Sequence, residues 1–407
     1  MTGGVPDAER LARVALSRLG EPGDPRLAAL VAEIGAEAVH DYLLQERDVT
    51  GLATDVAARL QGLDPVAILE HAHADGIRFL CPGDAEWPPQ LHDLDRCEQL
   101  NGRGGAPLGL WVRGAGRLDQ LGARAVAVVG SRSATTYGVG VAGEIGAGVA
   151  QENVTVVSGA AYGIDQAAHR GALAARGPTV AVLACGVDRS YPAAHRELLS
   201  YIADSGLVVA EAPPGSAPTK LRFLSRNRII AAMSVGTVVV EAAVSSGALN
   251  TANWAALLAR TVMGVPGPVT SAPSEGVHEL LRARDAVLVT RSRDVLELVS
   301  PSGCFTQAAP RAAERPTDRL SVMERQVLDA VPVTLPAVTR SVARTAGLAE
   351  SKVHEVLCRL GSGGFVEGGP AGWRLAPKGR TGDSCGPDGS DGARGAVEVL
   401  GDQAASP

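Results

Sequence analysis

The sequence predicts an α/β fold built on a parallel sheet, preceded by a helical segment and followed by a smaller unit of three helices and a hairpin. Three observations carry this. Between Ala125 and Thr270 four β-type apolar runs each break into a Gly/Ser loop and then a helix, the loops lying at 130–138, 158–165, 184–192 and 245–250. The runs are apolar on both faces, as strands covered by helices on two sides must be. Helical stretches of about ten to fifteen residues separate most of them, the length a right-handed crossover needs.

In chain order, residues 8–19, 25–34, 36–46 and 54–61 read as short amphipathic helices punctuated by Gly20, Gly35 and Gly62. They predict a helical domain over 1–75, of SAM/HhH-like type. A Pro/Gly-rich connector from Ile77 to Arg117 follows, ending in a short strand at 108–113. Strands are expected near 125–129, 154–157, 179–183, 207–210, 237–240, 262–265 and 286–289. The sheet domain with its connector covers 76–300. Residues 301–318, rich in Pro, Ala and Arg, read as a linker. Helices at 323–330, 335–343 and 351–360 precede a hairpin through Phe365 and Trp373, the outline of a winged helix over 319–377. The tail, 378–407, is Gly, Asp and Ala with little apolar weight and is expected to be disordered.

Composition bounds the function. The 407 residues are enough for two or three domains, and 45% apolar content with only 3% aromatic means a core of Val, Leu, Ala and Ile. No apolar run reaches the length of a membrane span, and residues 1–20 lack a signal-peptide apolar stretch, so a cytoplasmic location is expected. The six cysteines form no C-x-x-C pair. That argues against a structural zinc site, while the chain's length and the lack of a secretory signal argue against a disulfide framework, and reduced, mostly buried thiols are expected. With a net charge of −6, any affinity for nucleic acid must come from a local patch.

Loops at the carboxyl edge of a parallel sheet, opening helices, offer free backbone N–H groups to an anion. Gly130 permits a tight turn there, and Arg132 can fork onto a phosphate. A dinucleotide reading fails: the Gly-x-Gly-x-x-Gly spacing is absent, and the second strand runs into Ser158-Gly159 rather than an acid. No cofactor is expected. Ser158, Asp165 and His169 could be combined into a triad, but Asp165 and His169 share one helix and Asp165 is placed to cap it.

The segment 220–230 sets Lys220, Arg222, Arg226 and Arg228 beside that edge. With Ser225 read as the cap, Arg226, Asn227 and Arg228 fall in a first helical turn, where cations oppose the macrodipole and a phosphate would resolve the conflict. No acid occurs between Glu211 and Glu241. Phe223, one of four Phe, lies among cations rather than in an apolar run. It is either a stacking surface for bases or an anchor for the loop.

These motifs resemble the DprA/Smf family of DNA-processing proteins. They are Gly-Ser-Arg-x4-Tyr-Gly (130–138), Ser-Gly-x-Ala-x-Gly-Ile-Asp-x2-Ala-His (158–169), Gly-x-Asp-x2-Tyr-Pro (186–192), Pro-Pro-Gly (213–215), Arg-Asn-Arg-Ile-Ile-Ala (226–231), Val-Val-Glu-Ala-x3-Ser-Gly-x-Leu-x-Thr-Ala (239–252) and Val-Pro-Gly (265–267). The resemblance implies an extended Rossmann-like fold that binds single-stranded DNA, forms a homodimer and loads the RecA recombinase. It implies a strand gripped by Arg132, Lys220 and Phe223, with Gly130, Ser131, Ser158, Gly159, Arg226, Asn227 and Arg228 around them. It places the dimer contact in the later half of the sheet, where 237–240 and 262–268 are short of charge. His195, Leu224 and Ala210 depart from the family pattern, where Asn, Pro and Ser are usual.

Two other functions compete. A nucleotide-processing hydrolase of the phosphoribohydrolase type would use a Glu after a strand, here Glu241, but its Pro-Gly-Gly-x-Gly-Thr loop is missing. Glu241 is expected instead to pair with a neighbouring cation. A duplex-DNA regulator would read through the helix at 351–360, yet Lys352, His354 and Arg359 share it with Glu355, and Arg374 on the hairpin faces Glu367.

Overall fold

The computed structural model describes residues 5–46, 54–283, 285–301, 303–305 and 316–376. The chain forms two compact units, Met1–Thr306 and Gln307–Pro407. The expected disordered tail and most of the expected linker lie outside the described residues.

The first unit opens with five helices, α1 (Asp7–Leu19), α2 (Pro25–Ile34), α3 (Ala36–Gln45), α4 (Asp55–Gln61) and α5 (Pro65–Ala74). The sequence reading stopped before α5. Its start signal is an Asp-Pro pair: Asp64 accepts from Val66 and Ala67 N–H, and Pro65 occupies the first turn. Strand β1 (Ile77–Leu80) was read as connector, and it pairs antiparallel with β2 (Leu110–Arg113). Arg78 interrupts its apolar run; the guanidinium reaches out to the Gly114 and Gly116 carbonyls.

After α6 (Leu118–Ala123) the chain alternates: β3 (Ala125–Val129), α7 (Thr136–Gln151), β4 (Thr155–Ser158), α8 (Ile164–Ala174), β5 (Thr179–Leu183), α9 (Arg196–Ser205), β6 (Leu207–Ala210), α10 (Lys220–Ala232), β7 (Gly236–Val239), α11 (Gly247–Leu257), β8 (Thr261–Gly264), α12 (Ala272–Arg282), β9 (Val287–Leu288) and α13 (Ser292–Val299). The nine-stranded sheet runs β1-β2-β6-β5-β4-β3-β7-β8-β9. Seven strands are parallel, and β1 and β2 add an antiparallel edge. Both faces are covered. Val126 and Val128 pack toward Ile145 and Ile164, while Ala127 and Val129 pack toward Ile229 and Trp254.

The order reverses at β3, whose neighbours are β4 on one side and β7 on the other. Helices leave the two sides in opposite directions at such a switch point and open a crevice at the carboxyl ends of the strands.

The second unit has α14 (Val322–Asp329), α15 (Thr339–Ala346) and α16 (Glu350–Ser362), then a hairpin of β10 (Val366–Gly369) and β11 (Gly372–Leu375). A capping box of Ser321 and Glu324 starts α14. Val327, Leu328, Val342, Val353, Leu357 and Phe365 belong to its own core. Glu367 and Arg374 stand opposite each other across the hairpin, 2.8 Å apart. Of the described cysteines only Cys81 and Cys185 are buried, Cys97 is half-buried, and Cys304 and Cys358 are exposed. The expectation of mostly buried thiols is therefore corrected.

Candidate nucleic-acid interface

A cleft of about 690 Å³ occupies the crevice at the switch point. The β3–α7 loop supplies Gly130, Ser131 and Arg132; the first turns of α10 supply Lys220, Phe223, Arg226 and Asn227; the β7–α11 loop and the start of α11 supply Ser245, Ser246 and Gly247. Seven of the ten residues singled out by sequence thus meet in one place, from segments far apart in the chain.

The upper wall is cationic and aromatic. Arg132 Cζ lies 4.5 Å from the Phe223 ring centroid, within cation–π range. Arg132 is exposed and Lys220 is exposed, and neither has an ion-pair partner among the described residues. Phe223 is half-buried, lies outside the hydrophobic clusters, and stands 5.8 Å from the exposed ring of Tyr191 at a tilt of 54°. It lines the cleft and does not anchor a core. The floor is the start of α11, where Ser246 caps by accepting from Ala248 N–H, and Leu249 N–H donates to Ser246 O. Tyr191 belongs to the Gly-x-Asp-x2-Tyr-Pro motif at 186–192, whose spacing assigns it no role. Only the fold brings it beside Phe223.

The basic helix itself required correction. Thr219, not Ser225, is the cap: it accepts from Arg222 N–H, and α10 begins at Lys220. Residues 213–216 form a turn closed by Ser216 N–H to Pro213 O, and Pro218 follows, so no helix starts before Thr219. The Ser225 hydroxyl bonds back to Leu221 O. Arg226, Asn227 and Arg228 are therefore buried in the helix interior and already partnered. Arg228 has no exposed side-chain surface and pairs with Glu211 at 2.6 Å. It also donates to Gly105 O. It lies outside the cleft. Glu211, the residue at the edge of the acid-free interval, neutralises it. Arg222 is likewise paired, bidentate on Glu21 at 2.8 and 2.9 Å.

Arg226 lines the cleft's depth, donating to the Gly159 and Val182 carbonyls at 2.7 Å each. Burial, with Arg132 nearby and opposed by the charge of Asp165, lowers its pKa to about 10. Asn227 bridges Gly247 O and Asn250 Oδ1. Ser158 and Gly159 stand behind this wall rather than in it. The Ser158 hydroxyl donates to Val128 O at 2.6 Å, and a Cβ on Gly159 would overlap the Arg226 guanidinium.

No triad forms. Asp165 accepts from Gly159 N–H and Ala161 N–H, a loop-fixing role. His169 is wholly buried and shares 2.7 Å with Thr179 Oγ1, which itself donates to Val156 O. The histidine must then donate from Nδ1, leaving Nε2 unprotonated and without a partner. Burial, aided by His195 and Arg226, pushes its pKa down to about 3. The unfolded chain binds this proton near pH 6.5 and the folded chain does not. Stability is thus complete above about pH 6.5 and falls as the pH drops toward 3, by up to about 1.4 kcal/mol per pH unit. Denaturant unfolding of His169→Gln should show a shallower slope between pH 7 and 5 than the parent; equal slopes would refute the assignment.

Glu241 was expected to pair with a cation. It is buried, and accepts instead from Thr135 N–H at 2.9 Å and the Thr135 hydroxyl, at the start of α7. Its carboxylate supports that helix N-terminus and is not a lining residue of the cleft. His195, one of the departures from the family pattern, is buried and donates from Nδ1 to Ala160 O at 2.9 Å.

The fold and these loops have known counterparts. A DprA relative from Mycobacterium tuberculosis (strain H37Rv) is 43% identical over 362 residues, 88% of this chain and 92% of the relative. The DNA processing protein DprA of Streptococcus pneumoniae (strain R6) is 40% identical over 210 residues, 51% of this chain and 73% of that protein. The X-ray structure of DprA from Streptococcus pneumoniae aligns with a TM-score of 0.54 at 30% identity, covering 73% of this chain and 99% of that one. The family model for DNA recombination-mediator protein A matches residues 78–300, the whole of the sheet and its switch-point cleft, and the chain belongs to that family.

Proposed function

We propose that this protein is a non-catalytic, sequence-independent binder of single-stranded DNA, which it shelters and passes to the RecA recombinase. One observation carries the reading: the unpaired Arg132 lies over the open ring of Phe223, with Lys220 alongside in the same cleft. Phosphates take the cations and the α11 N-terminus, while an unpaired base reaches the recessed ring. A duplex keeps its bases stacked inside and cannot. Neither kind of contact reads a base edge, so no sequence is preferred. The hydrolase reading loses support because Glu241 is committed to Thr135.

The same reading includes a homodimer. Of the charge-poor runs in the later half of the sheet, 237–240 and 262–265 are buried in the sheet, while 266–268 emerge at its edge with Pro268 exposed. The exposed apolar residues in this half include Val287 and Leu288 on the edge strand β9, together with Val244, Leu257 and Val269. The C-terminal unit, read as a winged helix, serves as an auxiliary contact, since its hairpin cation is matched by Glu367. No helix among the described residues is long and apolar enough to cross a membrane.

Gel shifts with labelled single- and double-stranded oligonucleotides at rising salt test the core of the proposal. Single strands should bind more tightly at every salt concentration, with log K falling against log salt by about 0.7 per phosphate contact. Tighter binding to duplex would reject it. Loading is tested separately, by whether the protein speeds RecA assembly on strands already covered by a single-strand-binding protein.

A further inference from the structure

We propose that the strand continues from the cleft past Arg132 onto a second station, where Tyr162 stacks on a base and Arg170 holds a phosphate. The proposal rests on the single-strand reading above. A concavity of about 420 Å³ adjoins the cleft and shares Arg132 and Ser133 with it as a common wall. Tyr162, Gln166 and Arg170 line its far side, and no Asp or Glu lines it. Many surface arginines of this acidic chain are paired, among them Arg10, Arg78, Arg117, Arg222 and Arg260. Arg132 and Arg170 are exposed and stand without a carboxylate partner among the described residues. A polyanion is drawn to such a place.

Tyr162 has the form of a stacking platform. The residue is 47% exposed, yet its ring packs edge-to-face on the His195 ring, with centroids 4.7 Å apart and planes at 71°. His195 is itself buried and fixed by Ala160 O. The tyrosine is braced from beneath and open above, so little side-chain freedom remains to be lost when a base settles on it. The two stations are also joined through the backbone. Gly163, at a φ of 77°, packs so closely on the Ser131 and Arg132 carbonyls that a Cβ would meet Ser131 O at 2.3 Å. Ile164 N–H donates to Ser131 O. The 160–163 loop and the 130–133 loop therefore hold one fixed spacing, as a continuous track requires.

Fluorescence anisotropy on the full-length protein, with oligothymidylates of about 4 and about 12 nucleotides, bracketing the range of single-strand site sizes, tests this. Arg170→Ala and Tyr162→Ala should each weaken the longer oligonucleotide about fivefold or more and leave the shorter unchanged. Arg170→Ala should also lower the salt slope by about 0.7, on the longer oligonucleotide only. Tyr162→Phe should bind as the parent does. Lys220→Ala, in the first cleft, should weaken both lengths. If Arg170→Ala and Tyr162→Ala, with unchanged thermal midpoints, both match the parent on the longer oligonucleotide, the second station does not exist. Equal weakening of both lengths would also overturn it. Failure of the unaltered protein to bind either oligonucleotide would instead strike the cleft reading itself.

Discussion

Arg132→Ala is expected to weaken single-strand binding by about 10- to 100-fold at moderate salt, the worth of one charge-assisted hydrogen-bonded contact. The guanidinium is exposed, so its loss costs the fold little, and the thermal midpoint should stay within about a degree. The salt slope should flatten by about 0.7. Phe223→Ala should also reduce affinity, but without changing that slope, because a stack releases no counterions. The two effects should not add. Arg132 rests 4.5 Å over the ring, and removing Phe223 also removes what orients the cation. Isothermal titration of both single variants and the double variant measures this coupling. Full additivity, or a Phe223→Ala protein with intact affinity and a midpoint lowered by many degrees, would show that the pair is not the gripping element.

Glu211→Ala should produce the largest loss of stability. The Arg228 side chain is fully inside, and Glu211 supplies both carboxylate oxygens to it at 2.6 Å. Glu211 also accepts from Gly23 N–H, tying the N-terminal helices to α10. Removing the carboxylate strands a guanidinium in the interior, at a cost of about 3–5 kcal/mol. Arg228→Met combined with Glu211→Leu should lose less than Glu211→Ala alone, since no unpaired charge is left behind. Chemical denaturation orders the three proteins. The double variant, wherever it folds, should bind single strands with near-parental affinity, because Arg228 is not in the cleft. A selective loss of binding there would restore Arg228 to the interface.

Much of this architecture was legible in the residues. Strands β3, β5 and β6 fell on their expected bounds because a fully buried parallel strand is a short apolar block between turn residues, with little to confuse it. The loops that follow such strands must meet at one sheet edge, which is why Gly130 to Arg132 and Lys220 to Asn227 converge. What was hidden depended on partners distant in sequence. Arg228 reads as a free cation until Glu211 is folded against it. Ser225 reads as a cap because Thr219, the true one, sits in a Pro-rich run with no apolar period before it. Strand β1 is short and contains Arg78, so it lacked the apolar signature, and its antiparallel pairing with β2 carried no local mark. Tyr162 and Tyr191 are exposed aromatics in loops, where sequence pattern is silent on orientation.

The switch point between β3 and β7 bears on fragments of the chain and on its proteolysis. The grip is divided among a loop after the first parallel strand, a helix after the fourth and a loop after the fifth. A fragment that ends before β7 keeps Arg132, Lys220 and Phe223 but lacks the strand that pairs with β3 and the loop that opens α11, so on the proposed function it should bind single strands more weakly than the whole chain. Mass action then works in reverse. On the proposed function, a single strand present at a hundred times its dissociation constant would add about 2.7 kcal/mol to the folded state, and limited proteolysis should slow in its presence.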